Sequence, residues 1–149
     1  MKITICGSIA FQSEINSVKK KMELLGHEVK IWPLELKDGE GNLIPVEEYY
    51  KIRKSAANDE KWVWDRKAEA ILEHFNKVAW SDAILVLNYD KKGVKGYIGG
   101  NTLMEMGLAF YLKKKIYILN EVPELSYKEE ILGVKPLIIN GDLSKLNEK

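Results

Sequence analysis

Five consecutive apolar residues, Ala83-Ile84-Leu85-Val86-Leu87, stand between the polar pair Ser81-Asp82 and Asn88. A run of this length without alternation suits a strand covered on both faces, which in a small protein means a parallel sheet with helices on each side. The rest of the chain alternates accordingly. Ile3 to Cys6 forms a short strand closed by Gly7-Ser8, and Phe11, Ile15, Val18, Met22 and Leu25 then recur at helical spacing up to Gly26. Glu28 to Trp32 supplies a second strand stopped by Pro33, completing one βαβ unit. Residues 33 to 45 hold Pro33, Asp38-Gly39, Gly41-Asn42 and Pro45 and are expected to be a loop. A short helix from Val46 to Ser55 precedes a long one with the stripe Trp64, Ala68, Ile71, Leu72, Phe75, Val78 and Ala79. After Ala83–Leu87 come a Lys- and Gly-rich loop over 89–101 and a helix striped by Leu103, Met106 and Phe110. Strands at Ile116–Leu119 and Leu137–Ile139 follow, with Ser126-Tyr127-Lys128-Glu129 in capping-box form between them.

This order predicts one α/β domain over residues 1–149, a doubly wound, flavodoxin-like or Rossmann-like sandwich of about five parallel strands. Ligands of such sheets sit beyond the carboxyl ends of the strands, where the strand order reverses. A formal charge of +1, with 30% charged residues, argues against a nucleic-acid or membrane partner. It also leads us to expect solvated faces for the clusters Lys91-Lys92 and Lys113-Lys114-Lys115. The single cysteine, Cys6, excludes an intrachain disulfide and a multi-cysteine zinc site and fits a cytoplasmic setting. At the end of a buried strand, an inert thiol is the default expectation for it.

Two turns carry chemical content. Gly7 and Ser8 lie between strand and helix, where free amides and the helix dipole favour an anion, though Ser8 also suits a plain helix cap. One glycine is too few for the G-x-G-x-x-G of a dinucleotide site. The stretch from Gly96 to Gly107 joins a strand to a helix, and its Thr102 and Glu105 satisfy a T-x-x-E capping box. The alternative for Glu105 is a carboxylate held ionised beside glycines that let a ligand approach, and so able to act as a nucleophile.

Cys6-Gly7-Ser8-Ile9, Ser81 to Leu87, and Thr102-Leu103-Met104-Glu105-Met106-Gly107-Leu108-Ala109 followed by Lys114 to Leu119 together resemble the nucleoside 2-deoxyribosyltransferase-like family, which includes 2'-deoxynucleoside 5'-monophosphate N-glycosidases. The resemblance implies a nucleoside or nucleotide as small-molecule partner, N-glycosidic cleavage or transfer with Glu105 as nucleophile, no metal or redox cofactor, and a homo-oligomer. The family's catalytic aspartate corresponds in position to His74, which could donate a proton to the departing base. In place of an aspartate or serine six residues before the nucleophile stands Gly99, with Asn101 and Thr102 the nearest polar substitutes. Gly7, Ser8, Asn88, Gly100, Asn101 and Thr102 are the expected substrate-binding residues, and Asp82 a turn residue. A phosphoribohydrolase, a nucleotide-binding module without turnover and a partner-binding flavodoxin-like domain remain open alternatives.

Overall fold

The computed structural model describes residues 1–147. Its centre is a five-stranded sheet in which every pairing is parallel: β1 (Lys2–Gly7), β2 (Glu28–Lys30), β5 (Ala83–Leu87), β6 (Lys115–Ile118) and β7 (Leu137–Ile138), in the order β2-β1-β5-β6-β7. From β1 the chain winds outward to β2 on one side and then returns to add β5 on the other. The switch point is therefore the β1/β5 seam, where Gly7 pairs with Leu87. A Cβ on Gly7 would lie 3.0 Å from the Leu87 carbonyl oxygen, so any side chain there would crowd the seam.

Alternation along each strand sorts the core into two layers. Ile3, Ile5, Ala83, Leu85 and Leu87 pack with Ile15, Val18 and Met22 of helix α1 (Gln12–Leu24). Ile84, Val86 and Cys6 face the other way, against α3 (Lys61–Trp80), α4 (Gly100–Tyr111) and α5 (Lys128–Gly133) through Val78, Met106, Ala109 and Ile131. All five residues of β5 are buried, as its uninterrupted apolar run demands. No helix of the described residues is long and apolar enough to cross a membrane.

Three local expectations are corrected. Residues 33 to 45 are not a plain loop: β3 (Glu35–Lys37) and β4 (Leu43–Pro45) pair antiparallel, and the Asp38 carboxylate accepts from the Glu40 and Asn42 amides to close the turn. The breakers read from the sequence are the hairpin's turn and ends. Neither T-x-x-E nor S-x-x-E acts as a capping box. The α4 helix starts at Gly100 with Gly99 at its N-cap, and α5 starts at Lys128, both without a side-chain cap. Starting before Thr102 puts Thr102 and Glu105 on the buried face of α4 rather than at its mouth.

Asn88, expected to contact ligand, is fully buried and structural. Its Nδ2 donates to the carbonyls of Gly96, Asn120 and Glu121, and its Oδ1 accepts from the Asn120 amide at 2.8 Å. It thereby ties together the loops after β5 and β6. Gly96 is bound into the same knot: φ is +65°, and a Cβ would lie 2.7 Å from the Glu121 carbonyl oxygen. We expect Asn88→Ala to lower stability by about 2–4 kcal/mol, because several buried groups lose their partner at once. Urea titration checks this, and an unchanged midpoint would contradict it. Asp82 accepts from the Lys2 amide at 2.8 Å, a bond that ties the start of β5 to β1 and not one within a turn.

Candidate functional site

A cavity of about 570 Å³ opens above the β1/β5 switch point. Gly7, Ser8, Gly100, Asn101 and Thr102 line it, so five of the six expected binding residues meet there, Asn88 being the exception. Beneath it a recess of about 70 Å³ reaches Glu105 and His74, with Gly7, Ile9, Arg53, Lys67 and Asn101 lining both spaces.

Three buried side chains from three elements converge on the floor. Cys6 is on the α3-facing side of β1, one residue before the seam glycine. His74 lies on the inward stripe of α3 with Val63, Lys67, Ala70, Ile71 and Val78, so the apolar stripe read from Phe75 and Leu72 is rotated, and Leu72 is 63% exposed. Glu105 faces inward from the second turn of α4. The His74 Nε2 is 3.6 Å from Cys6 Sγ and 3.8 Å from Glu105 Oε1.

Burial governs the charges here. It raises the Glu105 carboxyl from 4.5 to about 7, opposed by the Cys6 thiol and the Lys67 charge. Burial also lowers His74 from 6.5 to about 4, aided by Lys77, and pushes the Cys6 thiol well up, so both are neutral at pH 7. Lys67 is brought down to about 8, first by burial and then by Arg53.

A polar chain connects these groups. Lys67 Nζ donates to Asn101 Oδ1 at 3.2 Å, and Asn101 Nδ2 donates to Glu105 Oε1 at 3.2 Å. Because ammonium only donates, the amide must turn its oxygen to Lys67 and its NH2 to Glu105. The direction of the chain favours the ionised carboxylate.

The mouth is cationic. Arg53 and Lys54 come from α2 (Val46–Ser55), Lys67 from α3, and Lys91 and Lys92 from the loop after β5, while among the described residues no Asp or Glu lines the 570 Å³ space. Lys91 Nζ donates to Ser8 Oγ at 2.7 Å and to Tyr50 Oη at 3.3 Å. Ser8 also caps the short turn after β1 by accepting from the Ala10 amide, as its helix-cap reading expects. Tyr50, Trp64 and Tyr97 supply aromatic wall.

Sequence reasoning missed Cys6, Lys67, Arg53, Lys54 and Lys91 as site residues. Lys91 is a wall of the cavity rather than a purely solvated face, whereas Lys114 does bond to the Ala79 and Ser81 carbonyls away from it. Tyr50 and Trp64 line the cavity, whereas Tyr49 is buried in the core. One signal was present: Lys67 stands seven residues before His74, on the same helix face.

No family model and no curated protein matches the chain. Among solved structures it is similar to a 2-deoxyribosyltransferase from Bacillus psychrosaccharolyticus, with a TM-score of 0.50 and 13% identity over 80% of this chain and 72% of that one. It is also similar to Clostridium botulinum CMP N-glycosidase BcmB, with a TM-score of 0.47 and 15% identity over 94% and 90%. With its five-stranded parallel sheet between helical layers, the chain has the doubly wound fold of that 2-deoxyribosyltransferase.

Proposed function

We propose that this chain is an enzyme that cleaves the N-glycosidic bond of a nucleoside 5'-monophosphate, with Glu105 as the nucleophile. The observation that carries the reading is a buried carboxylate, single among the described residues, at the floor of a cavity whose mouth holds five cationic side chains and, among those residues, no acid. Heterolysis of an N-glycosidic bond develops positive charge on the sugar, and a carboxylate below the ring stabilises it or bonds to the anomeric carbon. The resulting glycosyl ester is released by water or by a second base, giving hydrolysis or transfer. Asn101, oriented by Lys67, holds the carboxylate for attack.

His74 takes a different role from the one expected. Two groups acting on opposite sides of a glycosidic bond need about 5 Å or more between them. At 3.8 Å from Glu105, and neutral, His74 packs against the nucleophile and positions it. The departing base then collects its proton from the solvent-facing side of the cavity.

The phosphate belongs at Ser8 and the cations beside it, and the base against the aromatic wall. Accordingly, Lys91→Ala is expected to raise KM for a 5'-monophosphate about tenfold or more, the size of one charge-assisted hydrogen bond, and to leave the nucleoside's KM nearly unchanged. Equal effects on both substrates would remove the phosphate from this site. The reaction itself is tested by incubating the protein with deoxy- and ribonucleosides and their 5'-monophosphates and following free base by chromatography. No release from any of them by folded protein would refute the reading.

The homo-oligomer belongs to the same proposal. Met104, Gly107 and Tyr111 recur at helical spacing along an exposed face of α4, and Tyr111 is 80% exposed, which suits a contact with a second copy. Light scattering at two concentrations should show a dimer or larger, and a monomer at both would overturn it.

A further inference from the structure

The three side chains on the cavity floor form a donor set of a kind that glycosidic chemistry does not require. A thiol, an imidazole and a carboxylate come together from β1, α3 and α4, each at least nine-tenths buried, with one donor atom of each within 4.8 Å of the others. In a tetrahedral zinc site, Zn–S of about 2.3 Å and Zn–N of about 2.0 Å hold sulfur and nitrogen about 3.5 Å apart. Cys6 Sγ and His74 Nε2 already stand 3.6 Å apart. Glu105 Oε1, 3.8 Å from the same nitrogen, needs to close by about half an ångström toward it to complete three corners of the tetrahedron. The 70 Å³ recess borders both His74 and Glu105 and leaves the fourth corner to a water.

We propose that Cys6, His74 and Glu105 bind one zinc(II) ion, and that the bound ion shuts the site by occupying the carboxylate that would attack the sugar. Binding breaks the Cys6 S–H bond, forms the S–Zn bond and releases that proton, together with the carboxyl proton of any Glu105 still in its acid form, to solvent. Thiolate, carboxylate and neutral imidazole around a doubly charged ion then sum to zero net charge, which suits a buried place better than any partial occupancy. The thiolate selects zinc over magnesium and calcium, which prefer oxygen. The binding step is independent of the proposed function; only the inhibition rests on it.

Calorimetric titration of the full chain with zinc(II), and absorption spectra with cobalt(II) as a probe, test the site directly. One equivalent of zinc should bind, and cobalt should give a thiolate charge-transfer band with tetrahedral ligand-field bands. Cys6→Ser and His74→Gln, each shown to be folded by circular dichroism, should weaken binding about a hundredfold, and Cys6→Ser should lose the charge-transfer band. Absence of stoichiometric binding to wild type, or binding equal in both variants, overturns the site. If base release is observed, it should fall with the same zinc midpoint and recover on adding a chelator; zinc bound at full occupancy without inhibition overturns the switch. If no substrate is ever cleaved, the calorimetry still decides the site, so the two proposals fail separately.

Discussion

Base release from a nucleoside 5'-monophosphate is expected to fall by on the order of 10⁴ in Glu105→Ala, with the protein still folded. The magnitude follows from removing the one carboxylate among the described residues that reaches the recess. Water has no oriented substitute for it, and the Lys67 and Asn101 chain then ends on nothing. Single-turnover base release, measured beside wild type at saturating substrate, checks the loss. A decrease of only a few fold would show that Glu105 is a buried structural carboxylate and that the chemistry lies elsewhere. The rate should also rise with pH through about 7 as Glu105 ionises, and the limb should disappear if Glu105 is not the group being titrated.

The same residue should reverse its sign in a stability measurement. A carboxyl raised from 4.5 to about 7 by burial contributes stability fully below the unfolded value and loses it as pH rises through the folded one. At pH 8 the folded protein therefore carries an ionisation cost on the order of 3 kcal/mol, which Glu105→Gln avoids while keeping an oxygen for Asn101. The variant should be more stable than wild type at pH 8, and the gap should close toward pH 4.5. His74 works in the opposite sense: with its pKa lowered from 6.5 to about 4, its contribution is present above 6.5 and is lost as pH falls. In wild type the two slopes oppose each other between 4.5 and 6.5 and flatten the curve. Glu105→Gln exposes the His74 slope alone. Denaturant titrations at several pH values read this out; a variant less stable than wild type at pH 8 would show that the carboxylate is held more strongly than burial penalises it. An inactive variant that gains stability would mark this as a site maintained for chemistry at a cost to the fold.

Much of this architecture was legible because it depends on patterns that every layer of the fold repeats. The uninterrupted run Ala83–Leu87 could be satisfied only by burial on both faces, and β5 is the central strand of the sheet. Asn101, Gly7 and Ser8 were expected at the cavity because they lie at a strand end or helix start, which is a local property, and Glu105 because of the family resemblance of the stretch around it. The hairpin over Glu35–Lys37 and Leu43–Pro45 was not legible, because two strands of three residues carry too little periodicity to outweigh the breakers around them. His74 and Lys67 were obscured for a related reason. They are polar residues at inward positions of α3, so the hydrophobic stripe was drawn through Leu72 and Phe75 and came out rotated.

Charge separates the two levels most clearly. A composition of 23 basic and 22 acidic residues says that the surface is mixed, and by itself it excludes a highly basic protein. It contains nothing about where the charges go. Arg53, Lys67 and Lys91 lie on a hairpin-linked helix, a long helix and a loop, and only the winding of the chain around the β1/β5 seam brings them to one cavity. Likewise Cys6, His74 and Glu105 are 68 and 31 positions apart in succession, each unremarkable among its neighbours. The sequence by itself determined the layers, the central strand and the turns at its carboxyl end, because those follow from local periodicity and burial. The tertiary structure decided which distant side chains share the low-dielectric floor, and their protonation states follow from that shared burial rather than from their residue types.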